Sequence, residues 1–280
     1  QKINTMNANI PQLSQFKIVV FDLDGTLLTH DYQLLHENLN AVNQIIEMGL
    51  RVTIATGRSF TSAEPFLRQL DIKEPMVFSN GSVCDNPDTG EREIISGIPL
   101  ESALIVLMLL DQFKGLSLKI HTADGTVLKS NDIPWPDEGR HFAVGTIIDN
   151  LKAHLVEEPI KMVIYGEPEL KNTFQQKIHE VLGPKSQISL IHSHPLYLEI
   201  INKNVSKGIT VCRLLPKLGI QPEQAIGVGD QENDYEMLKM LGLGIQVGES
   251  AEILKSVTKH QVPSPEAFGI QVLYEWLNNL

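Results

Sequence analysis

Apolar runs and amphipathic segments alternate through the first part of the chain. Ile18–Phe21 is apolar at every position and stops at Asp22, which predicts a strand buried on both faces. His36–Met48 has apolar residues at helical spacing, and Arg51–Ala55 predicts a second strand. A further helical segment leads to a short third strand, Met76–Ser79. Strands that alternate with helices in this way are typical of a parallel sheet covered by helices.

The order of elements changes near residue 83 and later returns to the first pattern. Between residues 83 and 199, hairpin signals such as Asp124-Gly125 are mixed with helical segments. From Ser206 onward, helix and strand alternate again, as in the helix Lys207–Leu218 and the strand Ala225–Val228.

These two patterns predict an α/β fold with two domains. Residues 1–82 and 200–280 are expected to form a Rossmann-like parallel-sheet core domain. Residues 83–199 are expected to form an inserted α+β domain of about 115 residues, which is a domain-sized insertion.

The composition fits a globular protein and argues against two classes of partner. Of 280 residues, 42% are hydrophobic and 20% charged, with a formal net charge of −11. We therefore expect no general affinity for nucleic acid or for anionic membranes. The longest apolar run, Ala103–Leu110, is too short to cross a bilayer.

Two further features of the sequence predict a cytoplasmic location. Cys84 and Cys212 are far apart and show no metal-ligand spacing, which suggests a reducing compartment. The N-terminal segment is polar and lacks the apolar core of a signal peptide. Because Gln1 is not a start residue, we also expect that the chain has been trimmed or processed.

Four polar segments of the predicted core contain residues that could carry chemistry. Each is a common turn or helix cap when taken alone. Because the carboxyl ends of parallel strands meet at one edge of a sheet, we expect the segments to lie together. The four segments are Asp22-Leu23-Asp24-Gly25-Thr26, Thr56-Gly57-Arg58, Val205-Ser206-Lys207-Gly208 and Gly229-Asp230-Gln231-Glu232-Asn233-Asp234.

Phosphoryl transfer is the reaction that requires all of these groups. One carboxylate can attack phosphorus, and a second can move the proton of the leaving group. A hard divalent cation such as Mg²⁺ must reduce the repulsion between a carboxylate and a phosphate. A lysine and aligned hydroxyl or amide donors then balance the charge that remains.

A second copy of Asp-Gly-Thr occurs at residues 124–126. It lacks the first acid of the opening motif, and the run before it ends in the polar residues Lys119 and His121. We interpret this copy as a hairpin turn and not as part of a site.

Together these motifs resemble those of the haloacid dehalogenase superfamily of phosphatases. The resemblance rests on FDLDGT, ATGR, SNG, SKG and GDQEND and covers essentially the whole chain. It is strongest to the Cof-like branch, whose cap domain is inserted between the second and third motifs. The resemblance implies that residues 83–199 are a cap that sets substrate specificity.

The resemblance also assigns roles to individual residues. It implies that Asp22 is the nucleophile and a Mg²⁺ ligand, and that Asp24 is the general acid/base, with its backbone carbonyl facing the metal. Asp230 matches the other direct metal ligand, and Asp234 matches an acid that supports the metal site. Phosphate or substrate contacts are implied for Leu23 through its backbone N–H, Thr26, Thr56, Gly57, Arg58, Asn80, Lys207 and Asn233.

The chain departs from the pattern of this branch near its C-terminus. Val247-Gly248-Glu249 stands where the branch usually has an asparagine after the glycine, and Gln261-Val262-Pro263 replaces a later asparagine-containing pattern. Glu249 adds a negative charge on the outer wall of the predicted site. These departures concern substrate specificity and not the metal-phosphate chemistry.

We therefore expect a Mg²⁺-dependent phosphatase that hydrolyses a small phosphomonoester, such as a sugar phosphate or a phosphorylated cofactor, through an aspartyl-phosphate. The expected partner is a small phosphorylated metabolite, and the expected assembly is a monomer or small homo-oligomer. Two alternatives stay open. One is a phosphomutase on the same scaffold, and the other is a non-catalytic regulator that binds a phosphorylated effector.

Overall fold

The structure is a computed structural model that describes residues 12–130, 133–135, 143–194 and 196–280. The polar N-terminal segment, residues 1–11, lies outside this part of the chain. The chain divides into two compact units, of which the first runs to Glu93 and resumes at Ser206, and the second is Ile94–Val205. Within the described ranges, no helix has the length and apolar character that a membrane crossing needs.

Strands and helices alternate through much of the chain. The strands are β1 Ile18–Phe21, β2 Arg51–Ile54, β3 Met76–Phe78, β4 Val83–Asp85, β5 Arg92–Ile94, β6 Ser117–His121, β7 Val127–Lys129, β8 Thr146–Ile147, β9 Lys161–Tyr165, β10 Ile188–His194, β11 Tyr197–Asn202, β12 Ala225–Gly229, β13 Leu243–Val247 and β14 His260–Val262. The helices are α1 His36–Glu47, α2 Phe60–Leu70, α3 Leu100–Leu110, α4 Leu151–His154, α5 Pro168–Leu182, α6 Lys207–Lys217, α7 Tyr235–Met240 and α8 Gly269–Leu277.

The first unit is built on a five-stranded parallel sheet with the order β14-β13-β12-β1-β2. Strand β1 pairs in parallel with β12 on one side and β2 on the other, so that Val20 lies between Gly227 and Thr53. All four side chains of β1 are fully buried, as expected for an apolar strand in the middle of a parallel sheet. The carboxyl ends of β1, β2 and β12 therefore lie at one edge of the sheet. The predicted α/β fold is confirmed.

The third predicted strand does not extend this sheet as a regular ladder. Strand β3 joins the end of β2 through a single parallel bridge between Ala55 and Val77. Its main partner is β4, which runs antiparallel and forms a separate three-stranded sheet with β3 and β5. The difference arises because the chain turns back at residues 79–81 and pairs at once with the strand it has just left.

The second unit contains a six-stranded sheet with the order β10-β11-β9-β6-β7-β8. All of its pairings are antiparallel except the one between β7 and β8. Side chains such as Leu118, Ile164 and Phe174 form a buried core between the sheet and helices α3 and α5. Asp124-Gly125 lies in the turn between β6 and β7, which confirms the predicted hairpin.

Candidate active site

Two acids follow the buried strand β1 at the edge of the parallel sheet. The backbone N–H of Asp22 donates to the carbonyl of Val228 at 2.9 Å, which holds Asp22 in line with the sheet. The chain then turns at Gly25, whose φ of +77° lies in the left-handed region. A Cβ at Gly25 would lie only 2.3 Å from Oδ2 of Asp230, so glycine lets the backbone approach that acid. Leu23 closes the turn by accepting amide hydrogen bonds through its carbonyl.

Lys207 is placed between two of the acids by the start of helix α6. The side chain of Ser206 caps this helix by accepting the N–H of Ile209 at 3.1 Å. Lys207 is therefore the first residue of the helix, and its side chain is fully buried. Its Nζ lies 2.7 Å from Oδ1 of Asp22 and 2.8 Å from Oδ1 of Asp234.

Asp230 and Asp234 complete the acidic cluster from the turn after β12. Oδ2 of Asp234 accepts the backbone N–H groups of Asp230 at 3.0 Å and Gln231 at 3.1 Å. Asp230 accepts the hydroxyl of Thr26 at 3.0 Å and the side-chain amide of Gln231 at 2.9 Å. Asp234 thus holds the backbone of the turn, whereas Asp230 contacts the motif of residues 22–26.

The three acids outnumber the one lysine that contacts them. Carboxylate oxygens of Asp22, Asp230 and Asp234 lie within 4.8 Å of one another, and all three residues are buried. Burial raises the pKa of Asp22 well above its ordinary value, although Lys207 partly opposes this shift. Burial and the nearby Asp234 raise the pKa of Asp230 to about 7. Lys207 is buried as well, but Asp22 and Asp234 together raise its pKa. The surplus of negative charge is what a divalent cation would compensate.

A second polar element follows β2 and meets the turn after β3. Oγ1 of Thr56 accepts the N–H of Arg58 at 3.1 Å, and the carbonyl of Thr56 accepts the N–H of Asn80 at 3.1 Å. A Cβ at Gly57 would lie 3.1 Å from Oδ1 of Asn80, so the two loops are in contact. Oδ1 of Asn80 also accepts Nδ2 of Asn233 at 2.9 Å. Oδ1 of Asn233 is buried and has no hydrogen-bond partner among the described residues.

The turn that carries Asn80 has an uncommon backbone conformation. Ser79 and Asn80 have φ values of +51° and +54°, in a region that few residues other than glycine occupy. The hydroxyl of Thr210, in helix α6, donates to the carbonyl of Gly81 at 2.7 Å. The turn is therefore fastened to the same helix that begins with Lys207.

Arg58 contacts Asp24 and not the acidic cluster. Its Nε lies 2.8 Å from Oδ2 and its Nη2 lies 2.6 Å from Oδ1 of Asp24, while Nη1 donates to the carbonyl of Ser62 at 3.1 Å. The rings of Tyr32 and Phe66 each lie 5.0 Å from the guanidinium carbon.

The structure brings the predicted residues together in two connected groups. The first group consists of Asp22, Thr26, Lys207, Asp230 and Asp234. In the second group, Asp24 contacts Arg58, which hydrogen-bonds Thr56, and the neighbouring residues are Gly57, Asn80 and Asn233. Glu249 is exposed and follows the end of β13.

Sequence reasoning missed two residues that contact the site. The side-chain amide of Gln231 donates to Asp230, and its position directly after that acid in the sequence could have indicated this contact. Tyr32 contacts Arg58, and nothing in the sequence around it indicated this.

Known proteins are similar to this chain over most of its length. The family model for haloacid dehalogenase-like hydrolases matches residues 19–272. An HMP-PP phosphatase of Serratia proteamaculans is 29% identical over 258 residues, which cover 86% of this chain and 87% of the relative. The 5-amino-6-(5-phospho-D-ribitylamino)uracil phosphatase of Bacillus subtilis is 22% identical over 258 residues, which cover 90% of this chain and 94% of the relative.

A solved structure supports the same fold. The crystal structure of a haloacid dehalogenase-like hydrolase from Bacteroides thetaiotaomicron superimposes with a TM-score of 0.83 at 21% identity. The match covers 94% of this chain and 99% of that protein. The match of the family model confirms the family resemblance predicted from the motifs.

Proposed function

This chain belongs to the haloacid dehalogenase-like hydrolases, and we propose that it is a Mg²⁺-dependent phosphatase acting on a small phosphomonoester. The main support for the proposal is that buried Lys207 contacts Asp22 and Asp234, two members of the buried acidic cluster. Such a group combines a nucleophile, a cation and metal ligands within one edge of the sheet.

The donor set of the acidic cluster fits Mg²⁺. Asp22 and Asp230 offer hard carboxylate oxygens, and Mg²⁺ is commonly held by one or two carboxylates together with phosphate oxygens. Asp234 accepts Lys207 and two backbone N–H groups, so we assign it to support the site and not to direct ligation. Asp230 accepts hydrogen bonds from the side chains of Thr26 and Gln231, which can turn aside for a metal ion, so we assign it to direct ligation. The backbone carbonyl of Asp24 is proposed as a further ligand. When bound, Mg²⁺ would reduce the repulsion between the Asp22 carboxylate and the substrate phosphate.

In the first half of the reaction, a carboxylate oxygen of Asp22 forms a bond to phosphorus while the bond to the leaving oxygen breaks. Lys207 lies beside Asp22 and balances the negative charge of the transferring group. Asp24, whose side chain is 41% exposed, donates a proton to the leaving oxygen. The product is an aspartyl-phosphate on Asp22.

In the second half of the reaction, water hydrolyses the aspartyl-phosphate. Asp24, now ionised, takes a proton from the attacking water, and the bond between phosphorus and Asp22 breaks. Phosphate leaves, and both acids return to their starting states. The same carboxyl group thus serves first as acid and then as base.

The phosphate oxygens are proposed to meet donors from the opening motif and from the second polar element. Oγ1 of Thr56 accepts a bond from the backbone, which leaves its own O–H to donate to phosphate. The other proposed donors are the backbone N–H groups of Leu23 and Gly57 and the side chains of Asn80 and Asn233. The hydroxyl of Thr26 donates to Asp230, so we assign Thr26 to support that acid beside the phosphate. Asn233 would donate through the second N–H of its Nδ2, because the first already donates to Oδ1 of Asn80.

The names of the relatives specify different substrates. Of the two relatives described above, one is named for HMP-PP and the other for a phosphoribitylamino-uracil. We therefore propose a small phosphorylated metabolite and assign its selection to the inserted segment, residues 83–199. We also propose a cytoplasmic location, with Cys84 and Cys212 as free thiols.

A phosphate-ester panel tests the proposed function. With Mg²⁺, the chain should release inorganic phosphate from at least one ester, and Asp22→Asn should abolish this release. Asp124→Asn, the same change at an exposed acid of the second unit, is the matched control and should retain activity. Turnover by Asp22→Asn, or activity unchanged by EDTA, would contradict the assignment.

The same assay separates the alternatives. A phosphomutase would require a bisphosphate activator and would return an isomerised phosphate ester in place of free phosphate. A non-catalytic regulator would show no turnover across the panel.

A further inference from the structure

We propose that Arg58 is a positioning residue that holds the Asp24 carboxylate for proton transfer, and that the rings of Tyr32 and Phe66 hold Arg58. This inference rests on the proposed function, because it takes Asp24 to be the general acid/base. The four side chains are called the Arg58 cluster below.

Arg58 binds the Asp24 carboxylate through two guanidinium nitrogens at once, a bidentate contact that we call a fork. Nε of Arg58 lies 3.1 Å from Oδ1 and 2.8 Å from Oδ2 of Asp24, and Nη2 lies 2.6 Å from Oδ1. Charge-assisted hydrogen bonds of this kind fix the plane of the carboxylate as well as its position. A single ammonium group could not reproduce that constraint.

The exposure of the two partners differs in a way that favours positioning over direct substrate contact. The Arg58 side chain is only 3% exposed, whereas that of Asp24 is 41% exposed. Nη1 of Arg58 donates to the carbonyl of Ser62, so all three guanidinium nitrogens have protein partners. The carboxylate is therefore the accessible end of the pair, and Arg58 supports it from the interior.

Two aromatic rings hold the guanidinium. Tyr32 and Phe66 lie at the same distance from its central carbon, 5.0 Å, which is within the range of cation–π attraction. Tyr32 reaches this place from a turn in which its own φ is +56°, a conformation that is costly for an aromatic residue. The turn is held by a hydrogen bond from the N–H of Tyr32 to the carbonyl of Thr29 at 2.9 Å.

This arrangement predicts different effects on the two half-reactions. With p-nitrophenyl phosphate, the leaving group departs without a proton, so Asp24 is required only when water attacks the aspartyl-phosphate. With phenyl phosphate, a more basic leaving group of similar shape, Asp24 is required in both steps. A loss of Asp24 positioning should therefore be visible as dependence on the leaving group.

The test uses the full chain with Arg58→Gln and Arg58→Lys in steady-state and stopped-flow assays. For p-nitrophenyl phosphate, Arg58→Gln should lower kcat and KM together by about tenfold or more, with kcat/KM nearly unchanged and a burst of nitrophenolate. For phenyl phosphate, kcat/KM should fall by at least about tenfold. Arg58→Lys keeps the charge but not the fork, so its kinetic constants should lie between those of the wild type and those of Arg58→Gln.

A matched control is available at the opposite edge of the same sheet. Arg51, at the amino end of β2, forms a similar fork to both oxygens of Glu74. Arg51→Gln removes a fork of the same kind and should leave the kinetics with both probes unchanged. Tyr32→Leu, which retains Arg58 but removes one ring, should show a weaker version of the Arg58→Gln pattern.

A double-mutant cycle decides whether Arg58 acts through Asp24. In an Asp24→Asn background, Arg58→Gln should cause no further loss, because the group that it positions is already absent. Equal losses of kcat/KM for both probes, or a full further loss in that background, would overturn the inference in favour of direct contact with phosphate. If Asp22→Asn remains active, the proposed function itself fails, and this outcome is independent of the Arg58 variants.

Discussion

The tripeptide Asp-Gly-Thr occurs once in each unit, and the two copies lie in different environments. Residues 24–26 follow a buried strand of the parallel sheet, whereas residues 124–126 lie in the turn between two antiparallel strands. Both glycines have left-handed φ values, +77° at Gly25 and +88° at Gly125. The local turn chemistry is therefore shared, and the differences lie in what surrounds it.

The partners of the second copy are all close in sequence. Oδ1 of Asp124 accepts the hydroxyl of Thr122 at 2.6 Å and the N–H of Thr126 at 2.9 Å. These bonds, which favour the ionised form, lower the pKa of Asp124. The second copy is thus a self-contained turn, and its acid is exposed to solvent.

The partners of the first copy are distant in sequence. Thr26 donates to Asp230, which is 204 positions away, and Asp24 contacts Arg58, which is 34 positions away. Burial raises the pKa of Asp230 to about 7, the opposite direction from Asp124. The tripeptide therefore specifies a turn, and the preceding strand and the distant partners convert that turn into a site.

The largest expected difference between the copies concerns their glycines. Gly25→Ala would place a methyl group where the Asp230 carboxylate lies, so we expect activity to fall by at least about 100-fold and the stabilisation by Mg²⁺ to be lost. Gly125→Ala introduces the strain of a left-handed backbone and should cost about 1 kcal/mol of stability. Phosphate release and thermal melting with and without Mg²⁺ measure both effects. Equal activity in the two variants would show that the close approach at Gly25 is unimportant.

The pH dependence of stability should differ in sign at Asp230 and Asp124. The folded pKa of Asp230, about 7, is raised above its ordinary value of 3.8. Its contribution to stability is therefore present at low pH and lost as the pH rises through 7. We expect the metal-free chain to lose about 2 to 4 kcal/mol of unfolding free energy between pH 4 and pH 8 from this group.

Urea unfolding in EDTA and in Mg²⁺ measures this dependence. Mg²⁺ should stabilise the chain more at pH 8 than at pH 5, because at pH 5 it must displace a proton from Asp230. Asp230→Asn removes one titrating group and should make the metal-free profile less steep, while Asp22, whose pKa burial also raises, still contributes. A metal-free stability that rises between pH 5 and pH 8 would argue against the raised pKa.

A smaller difference is expected from the two threonine hydroxyls. Thr26→Val removes the hydrogen bond to Asp230, and a bond to a charged group contributes about 1.5 to 3 kcal/mol. We therefore expect about a tenfold or greater weakening of Mg²⁺ activation. Thr126→Val keeps the backbone N–H that Asp124 accepts and should leave activation unchanged. Titration of activity against Mg²⁺ compares the two variants directly.

The sequence was informative where a motif coincides with a buried strand. Ile18–Phe21 is apolar throughout, and its central place in the sheet follows from burial on both faces. Parallel strands bring their carboxyl ends together, so Asp22 and Asp230 could be expected at one edge. Lys207 could be assigned because phosphoryl transfer requires a lysine and its motif supplies one. Its burial and its two acidic partners come from the structure.

Other features could not be predicted, for physical reasons. The three-residue strands β4 and β14 contain too few positions for a period to be recognised, and they lack the uninterrupted apolar run that identified β3. The contact of Tyr32 with Arg58 depends on a left-handed backbone at a residue that seldom adopts one. The pairing of Arg58 with Asp24 depends on side-chain directions, which spacing along the chain does not determine.

The smallest expected effect is that of Asp124→Asn. Asparagine retains an oxygen that can accept the N–H of Thr126, and the site is exposed, so stability should change by less than about 0.5 kcal/mol. Because the pKa of Asp124 is lowered, any stabilisation by its charge is present above its ordinary pKa and lost as the pH falls. The stability of the variant should therefore differ least from that of the wild type at acidic pH.

Asp24→Asn, in contrast, should lose about 100-fold or more in kcat. A comparable loss in Asp124→Asn would mean that the second copy takes part in the reaction, and the distinction between local and distant partners would not hold.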